Sequence, residues 1–486
     1  MSRTAPTPNS DSESTVTTLR TGFRGDLILP DDEDYDDARA VWNGMIDKYP
    51  AVIARCAGVS DVMAAVDFGR EQELPVAVRG GGHHIAGNAV CDDGIVVDCS
   101  QMRSVVVDPK ARTARVEAGA LLADVDHETQ AFGLAVPTGI NSTTGIAGLT
   151  LGGGGGWLSR KYGMTIDNLR SVDLVTADGE FVHASEETNP DLFWAVRGGS
   201  GNFGVVTNFE FDLHPVGPEV LCGPLVYAHE DAREVMRFVR DFNRESPEDC
   251  VVWLVLRKAP PLPFLDESVH GTNVLILVAF YAGEMVDGEA VLAPLREFGT
   301  PIADAITPHQ YTEFQQSFDP LLEPGARNYW KSHNFAELSD EAIDIAVDYA
   351  ADLPTELSEI FFGQIGGATE RVDPEAMAYP HRETRYMMNV HTRWEDPAMD
   401  DDCIQWARKF FAEMAPHATG GVYVNFISEA DGEESLAYRD NYARLAELKA
   451  KYDPDNVFRV NQNVEPAPAA DGGNGEPATD GGVDSA

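Results

Sequence analysis

Between Pro75 and Val90 the chain reads PVAVRGGGHHIAGNAV, and this stretch constrains the fold more than any other. A β-prone run around Val76 and Val78 delivers Arg79, then Gly80, Gly81 and Gly82 in succession, then His83 and His84. Glycines let the backbone turn with φ > 0 and let a ligand approach the peptide planes closely. Consecutive N–H groups exposed in this way form a nest for a phosphate or pyrophosphate. A histidine at its rim puts a nucleophilic imidazole beside the bound group. No G-x-G-x-x-G opens a helix in this loop, and no G-x-x-x-x-G-K-[ST] occurs, so the usual dinucleotide and nucleotide loops do not explain it.

At 486 residues the chain is long enough for two domains with ample cores. Lys+Arg 36 against Asp+Glu 80 gives a formal net charge of −44, and only eight of the basic residues are lysines. With 43 % hydrophobic residues this is not the composition of a disordered chain. Dense carboxylates with depleted lysine point to a haloadapted protein, whose acids hold water and cations once salt screens their repulsion. The same charge excludes nucleic acid as a partner. Cys56, Cys91, Cys99, Cys222, Cys250 and Cys403 show no C-x-x-C spacing and sit mostly in apolar runs, so they read as reduced core thiols. No run of 18 apolar residues occurs and the N-terminus has no apolar leader core, so the expectation is a cytoplasmic protein without a membrane partner.

Along the chain, residues 1–28 and 467–486 are expected to be disordered tails, the second acidic. Residues 29–215 alternate between helical and strand patterns. Ser60 is expected to cap a helix with Val62, Ala65 and Val66 on one face. A second helix is expected near Leu121–Phe132, and Asp178-Gly179 signals a type I′ hairpin. After residue 215 the style changes to strands of about ten residues: VLCGPLVYA, CVVWLVLRK, NVLILVAFYAG, EIFFGQIGGA, RYMMNVHTRW and GVYVNFIS. Helices separate them, one with Ala232, Val235, Met236, Val239 and Phe242 on a single face. One large sheet covered on one side follows for residues 216–420.

The glycine loop resembles the R-[SG]-G-G-H signature of FAD-linked oxidases related to berberine bridge enzyme, within the PCMH-type (vanillyl-alcohol oxidase) flavoprotein family. Four other stretches resemble family segments in the same order: Pro137–Leu169, Asp191–Phe211, AYPHR at 378–382, and YVNF with KYDPDNVFRVNQNV between Tyr423 and Val464. The resemblance implies an α+β fold, with an FAD-binding domain of two small α/β subdomains. Its substrate domain would carry a large antiparallel sheet backed by helices, and residues 421–466 would return to the FAD domain. It also implies a FAD-dependent oxidoreductase that removes a hydride from a CH–OH or similarly activated carbon. The substrate class is a sugar, polyol or natural product, and oxygen or another acceptor takes the electrons. An oxygen-insensitive dehydrogenase and a non-catalytic flavin-binding module are the alternatives.

Carried over position by position, the resemblance makes His83 the residue that bonds the flavin 8α carbon, with His84 as its rival. A second, cysteinyl link is excluded, because the place of that cysteine is taken by Asn141. Arg79, Gly80, Gly81, Gly82, Gly139, Ser142, Thr143, Gly145, Gly148 and Gly152 match cofactor contacts. Thr144 matches a site on the flavin face, Val206 an adenine-side contact, and Asn461 a contact from the C-terminal segment. Tyr423 and Asn425, two apart on a β-prone run, are expected on one sheet face. Tyr423 is the expected base, with Arg382 or Lys331 as the cation that lowers its pKa. Gln364, on the strand face of Phe362, is expected to line the pocket. No metal site is expected.

Overall fold

The computed structural model describes residues 18–428 and 434–468. Strands β1 (Asp26–Ile28), β2 (Val52–Arg55), β3 (Val76–Arg79) and β4 (Ile95–Asp98) form a first sheet in the order β1-β2-β4-β3. β4 lies between two parallel neighbours and is buried along its whole length, so its continuous Ile-Val-Val run needs no polar face. Helix α2 (Val59–Glu71) crosses between β2 and β3 and buries Val62, Ala65 and Val66, the expected face. Its cap is Gly58, not Ser60. Asp61 takes over at this end, accepting the N–H groups of Ala57 (2.9 Å), Arg24 (3.0 Å) and Gly25 (3.0 Å). Those bonds, the pairing of β1 with β2 and the burial of Leu19 move the start of folded chain ahead of residue 28. The rest of the expected tails, 1–17 and 469–486, lies outside the described residues.

The second sheet holds β5 (Val105–Asp108), β6 (Thr113–Glu117), β7 (Leu169–Val175), β8 (Phe181–Ser185) and β9 (Val205–Asp212), antiparallel in the order β5-β6-β9-β7-β8. The β7–β8 hairpin is not type I′. Only Gly179 takes a positive φ (75°), and its N–H donates to Thr176 O at 3.0 Å, whereas I′ needs positive φ at both central residues.

The third sheet is built from β10 (Glu219–Ala228), β11 (Cys250–Lys258), β12 (Asn273–Tyr281), β13 (Arg327–Phe335), β14 (Glu359–Gln364) and β15 (Tyr386–Trp394). They run antiparallel in the order β10-β12-β11-β14-β15-β13, with Ala303–Asp304 and Thr307–Gln310 beside β10. Helices α5 (Ala232–Glu245), α6 (Asp340–Ala350) and α7 (Asp400–Met414) cover one face, burying Leu254, Phe362, Met388 and Val390. The expected α+β architecture is present.

One expected strand is lost and an unexpected one takes its place. GVYVNFIS is not a strand: Asn334 of β13 donates its N–H to Gly421 O (3.1 Å) and accepts from Thr419 N (2.8 Å), then Val424–Phe426 turns in a 3₁₀ helix. The N–H of Tyr423 donates to the Ser332 hydroxyl (3.2 Å) instead of a backbone carbonyl, so the ladder stops there. The edge place belongs to β13 (RNYWKSHNF). From the C-terminal segment Val422, Val424, Tyr438, Leu445, Phe458 and Val464 pack into the core shared by the first two sheets. All six cysteines are buried and unpaired.

Candidate active site

A cavity of about 550 Å³ lies between the first two sheets and the uncovered face of the third. One end is the glycine loop, Gly80–His84, which leaves β3 at its C-terminal end. Gly82 has φ 71°, and Gly81 lies back to back with Gly145. A Cβ on Gly81 would fall 2.4 Å from Gly145 N, and one on Gly145 would fall 2.3 Å from Gly81 N. Any side chain at either place would force the two loops apart. Among the described residues the backbone N–H groups of Gly80 to His84 donate to no protein acceptor. Gly139, Thr144, Gly145, Gly148, Val206 and Asn461 also line the cavity. Asn461 donates to Gly201 O (3.0 Å) and Phe458 O (2.9 Å), and its buried Oδ1 has no partner among the described residues. A row of free N–H donors over a close glycine contact, running into a long groove, fits a dinucleotide pyrophosphate.

Both histidines line the cavity. The His83 ring stacks on Trp42 (centroids 5.3 Å apart), and its Nε2 lies 2.9 Å from Thr143 Oγ1. Burial pushes its pKa down to about 4, against a smaller opposing effect of the Thr143 backbone. His84 is also pushed down to about 4, by burial and then by Lys48, and its buried Nδ1 has no partner among the described residues.

Several expected contacts serve other purposes. The Arg79 guanidinium reaches the carbonyls of Ala38, Arg39 (3.3 Å) and Ala40 (2.7 Å), at the C-terminus of helix α1 (Tyr35–Arg39). It borders the cavity and spends both terminal nitrogens on a helix end, while its buried Nε has no partner among the described residues. Ser142 donates its N–H (2.9 Å) and hydroxyl (2.5 Å) to Asp319. Thr143 is committed to Asn141 and His83. Gly152 lies outside the lining, behind it, where a Cβ would strike the Asn425 amide at 2.3 Å.

At the other end, Tyr423 and Asn425 do converge, through the 3₁₀ turn and not through strand alternation. The Tyr423 oxygen accepts from Gly154 N (2.9 Å) and Asn425 Nδ2 (3.1 Å). Burial raises its pKa and outweighs those two donors. Neither expected cation assists. Arg382 is paired with Asp167 (2.8 and 2.9 Å), and Lys331 lies on β13's helix side, 5.2 Å from the Phe411 ring centre. Gln364 is a correction. It shares the face of Phe362, and that face is the helix-covered one. Its Oε1 accepts from Val252 N at 2.9 Å, while Phe361, Gly363 and Ile365 line the cavity instead.

The sequence reading missed the sheet's own contribution. Register places Arg257, Glu359, His391 and Trp330 in one row, and Val255, Phe361, Asn389 and Ser332 in the next. Except for Ser332, these residues line the cavity. Burial would raise the Glu359 carboxyl, but Arg257 (2.7 Å), His391 (3.4 Å) and Arg393 together hold it down at about 2. The amide of Asn389 is buried, and neither Nδ2 nor Oδ1 has a partner among the described residues.

Residues 50–185 match the family described as FAD binding domain, and residues 422–465 match the one described as berberine and berberine like. An FAD-linked oxidoreductase of Dictyostelium discoideum is 31 % identical over 433 residues, covering 87 % of this chain and 91 % of the relative. The chain belongs to the berberine-like FAD-linked oxidoreductases. Another member, the (R)-6-hydroxynicotine oxidase of Paenarthrobacter nicotinovorans, is 30 % identical over 462 residues, covering 91 % of this chain and 97 % of that enzyme. Among solved structures, 6-hydroxy-D-nicotine oxidase from Arthrobacter nicotinovorans superimposes with a TM-score of 0.82 at 28 % identity, over 92 % of this chain and 99 % of that one. The fold is shared with Physcomitrella patens BBE-like 1, at a TM-score of 0.84 and 23 % identity, over 93 % of this chain and 99 % of that one. This FAD-linked oxidoreductase is therefore an enzyme of that kind, with FAD as its cofactor.

Proposed function

We propose that this FAD-linked oxidoreductase is an oxidase that holds its flavin through a single covalent bond from His83 and takes a hydride from an activated C–H bond of a natural product. The observation that carries the reading is the cavity. It joins the glycine loop and His83 to a face that is mostly apolar, with aromatic walls at Trp330, Phe361 and Phe426. When bound, FAD supplies a two-electron acceptor at the junction. The chain's own residues then have separable tasks. The loop N–H groups hold the pyrophosphate, and the aromatic walls exclude water and sandwich a planar substrate. Asn389 offers a donor and an acceptor to the substrate's polar edge. Tyr423 keeps its proton, since both neighbouring N–H groups occupy its oxygen's lone pairs. It offers that proton as a hydrogen bond to a substrate acceptor away from the reacting carbon, leaving that carbon's heteroatom lone pair free to stabilise the positive charge as hydride departs. A flat heteroaromatic or polycyclic substrate suits this wall better than an oligosaccharide, which needs many more polar partners.

Acid-precipitated protein is expected to stay yellow, with the flavin on a peptide containing His83. His83→Ala is expected to release the flavin into the supernatant and His84→Ala to retain it; the reverse pattern moves the link to His84. Anaerobic bleaching of the flavin by members of a substrate panel identifies the class, and oxygen uptake then separates an oxidase from a dehydrogenase.

A further inference from the structure

The contacts of Asn141, Thr143 and His83 fix where their protons sit. Asn141 Oδ1 lies 3.0 Å from the N–H of Thr143 and 2.6 Å from its hydroxyl. A backbone N–H can only donate, so the Asn141 atom facing it is the oxygen and the amide cannot be flipped. That oxygen also takes the hydroxyl proton of Thr143, and a hydroxyl has one proton to give. Toward His83 Nε2, 2.9 Å away, Thr143 Oγ1 is therefore an acceptor. Nε2 then carries the hydrogen. In a neutral imidazole the lone pair is then left on Nδ1, the ring nitrogen that does not face the Thr143 hydroxyl. Trp42, stacked on the ring at an interplanar angle of 21°, blocks its rotation. The imidazole is held neutral by its burial.

Resting on the covalent attachment proposed above, we infer that Thr143 and Asn141 are positioning residues that lock His83 in the Nε2–H form and aim the Nδ1 lone pair at the flavin's 8α carbon. In the bond-forming step Nδ1 joins that carbon and one 8α C–H bond breaks. Its hydrogen and the Nε2 proton leave as protons, and the two electrons of the C–H bond pass to the flavin ring. Dioxygen then takes two electrons and two protons as hydrogen peroxide, restoring the oxidised flavin. As Nδ1 bonds to carbon the ring gains positive charge, and the Nε2–H bond to Thr143 becomes charge-assisted, strengthening when it is needed. Asn141, which cannot form a second covalent link, thus serves the first one through its neighbour.

The test uses the full chain, made flavin-free by riboflavin starvation and then mixed with FAD and air. It reads total bound flavin and the acid-stable fraction over time. Thr143→Val is expected to bind FAD but to attach it about 10²-fold more slowly, the scale of losing one positioned proton acceptor. Thr143→Ser, which restores the hydroxyl, and Asn141→Asp, which keeps the oxygen, are expected within about threefold of wild type. Attachment by Thr143→Val at the wild-type rate overturns the inference while leaving covalent attachment standing. Absence of acid-stable flavin in the wild type overturns the attachment and the inference together. Independently of any variant, the wild-type flavopeptide is expected to be linked through Nδ1; linkage through Nε2 overturns the inference.

Discussion

The phenol of Tyr423 is buried between Gly154 N–H and Asn425 Nδ2, with Arg382 and Lys331 both engaged elsewhere. Its pKa lies above the ordinary ~10 of a phenol, so between pH 6 and 9 it stays protonated. Anaerobic flavin reduction is accordingly expected to show no Tyr423-dependent limb in that range. Tyr423→Phe is expected to slow reduction by about 10-fold at every pH, the effect of losing one hydrogen bond that positions the substrate. Melting temperature and flavin content are expected to change little. A limb present in wild type and lost in Tyr423→Phe would instead make this residue the base. At this scale the glycine loop was legible, because three successive glycines before histidine serve few other purposes. Asn389 and His391 were not. Every residue of β15 is buried, and alternation within a doubly buried strand does not tell which face meets helices and which meets a cavity. Gln364 was misplaced for the same reason.

Helix α3 (Leu122–Gln130) meets the short helix Tyr311–Gln315 through one buried carboxyl. Asp126 accepts from Gln315 Nε2 at 3.1 Å, while the same amide reaches Thr138 Oγ1 (3.1 Å) and Gly139 O (3.3 Å). Burial raises the Asp126 pKa to about 7, only partly offset by Gln315. A folded pKa above the unfolded value means stability that is fully present below about pH 4 and is lost as pH rises through about 7. This one group therefore costs the fold a few kcal/mol by pH 8. Asp126→Asn keeps the acceptor for Gln315 and removes the charge. Its melting temperature is expected to exceed wild type at pH 8, with the gap narrowing as pH falls and closing near about pH 4; a gap that does not change with pH would refute the assignment. The elements differed in legibility. Helix α5 was read correctly because its apolar positions repeat at helical spacing. β13 went unseen because a strand reading RNYWKSHNF is polar on both faces: Ser332 meets the C-terminal segment, and Lys331 and His333 meet Phe411. The run after Gly421 looked like a strand because Val, Tyr, Phe and Ile favour sheets, but no backbone partner continues beside it.

For the whole molecule, 80 acidic residues against 36 basic ones leave a formal net charge of −44. Many arginines are spent locally. Arg233, Arg237 and Arg240 of α5 form a ladder with Asp340, Asp344 and Asp348 of α6. The remaining repulsion is long-ranged at low salt, with a Debye length of roughly 30 Å at 0.01 M against about 3 Å at 1 M. Melting temperature is expected to climb steeply from low to molar KCl. A flat dependence would remove haloadaptation and leave the flavin chemistry intact. The change of strand length near residue 215 coincides with the start of the third sheet at Glu219. The closure of one cavity by distant segments was supplied by the family resemblance, since periodicity carries no information about which elements meet. That closure has a consequence for biosynthesis. The cavity wall begins at Trp42 and is completed by Phe458, Val460 and Asn461, so a nascent chain still emerging from the ribosome has the phosphate loop but not the far wall. The lining is complete only once residue 461 has been made, so cofactor loading is expected to follow synthesis of that segment.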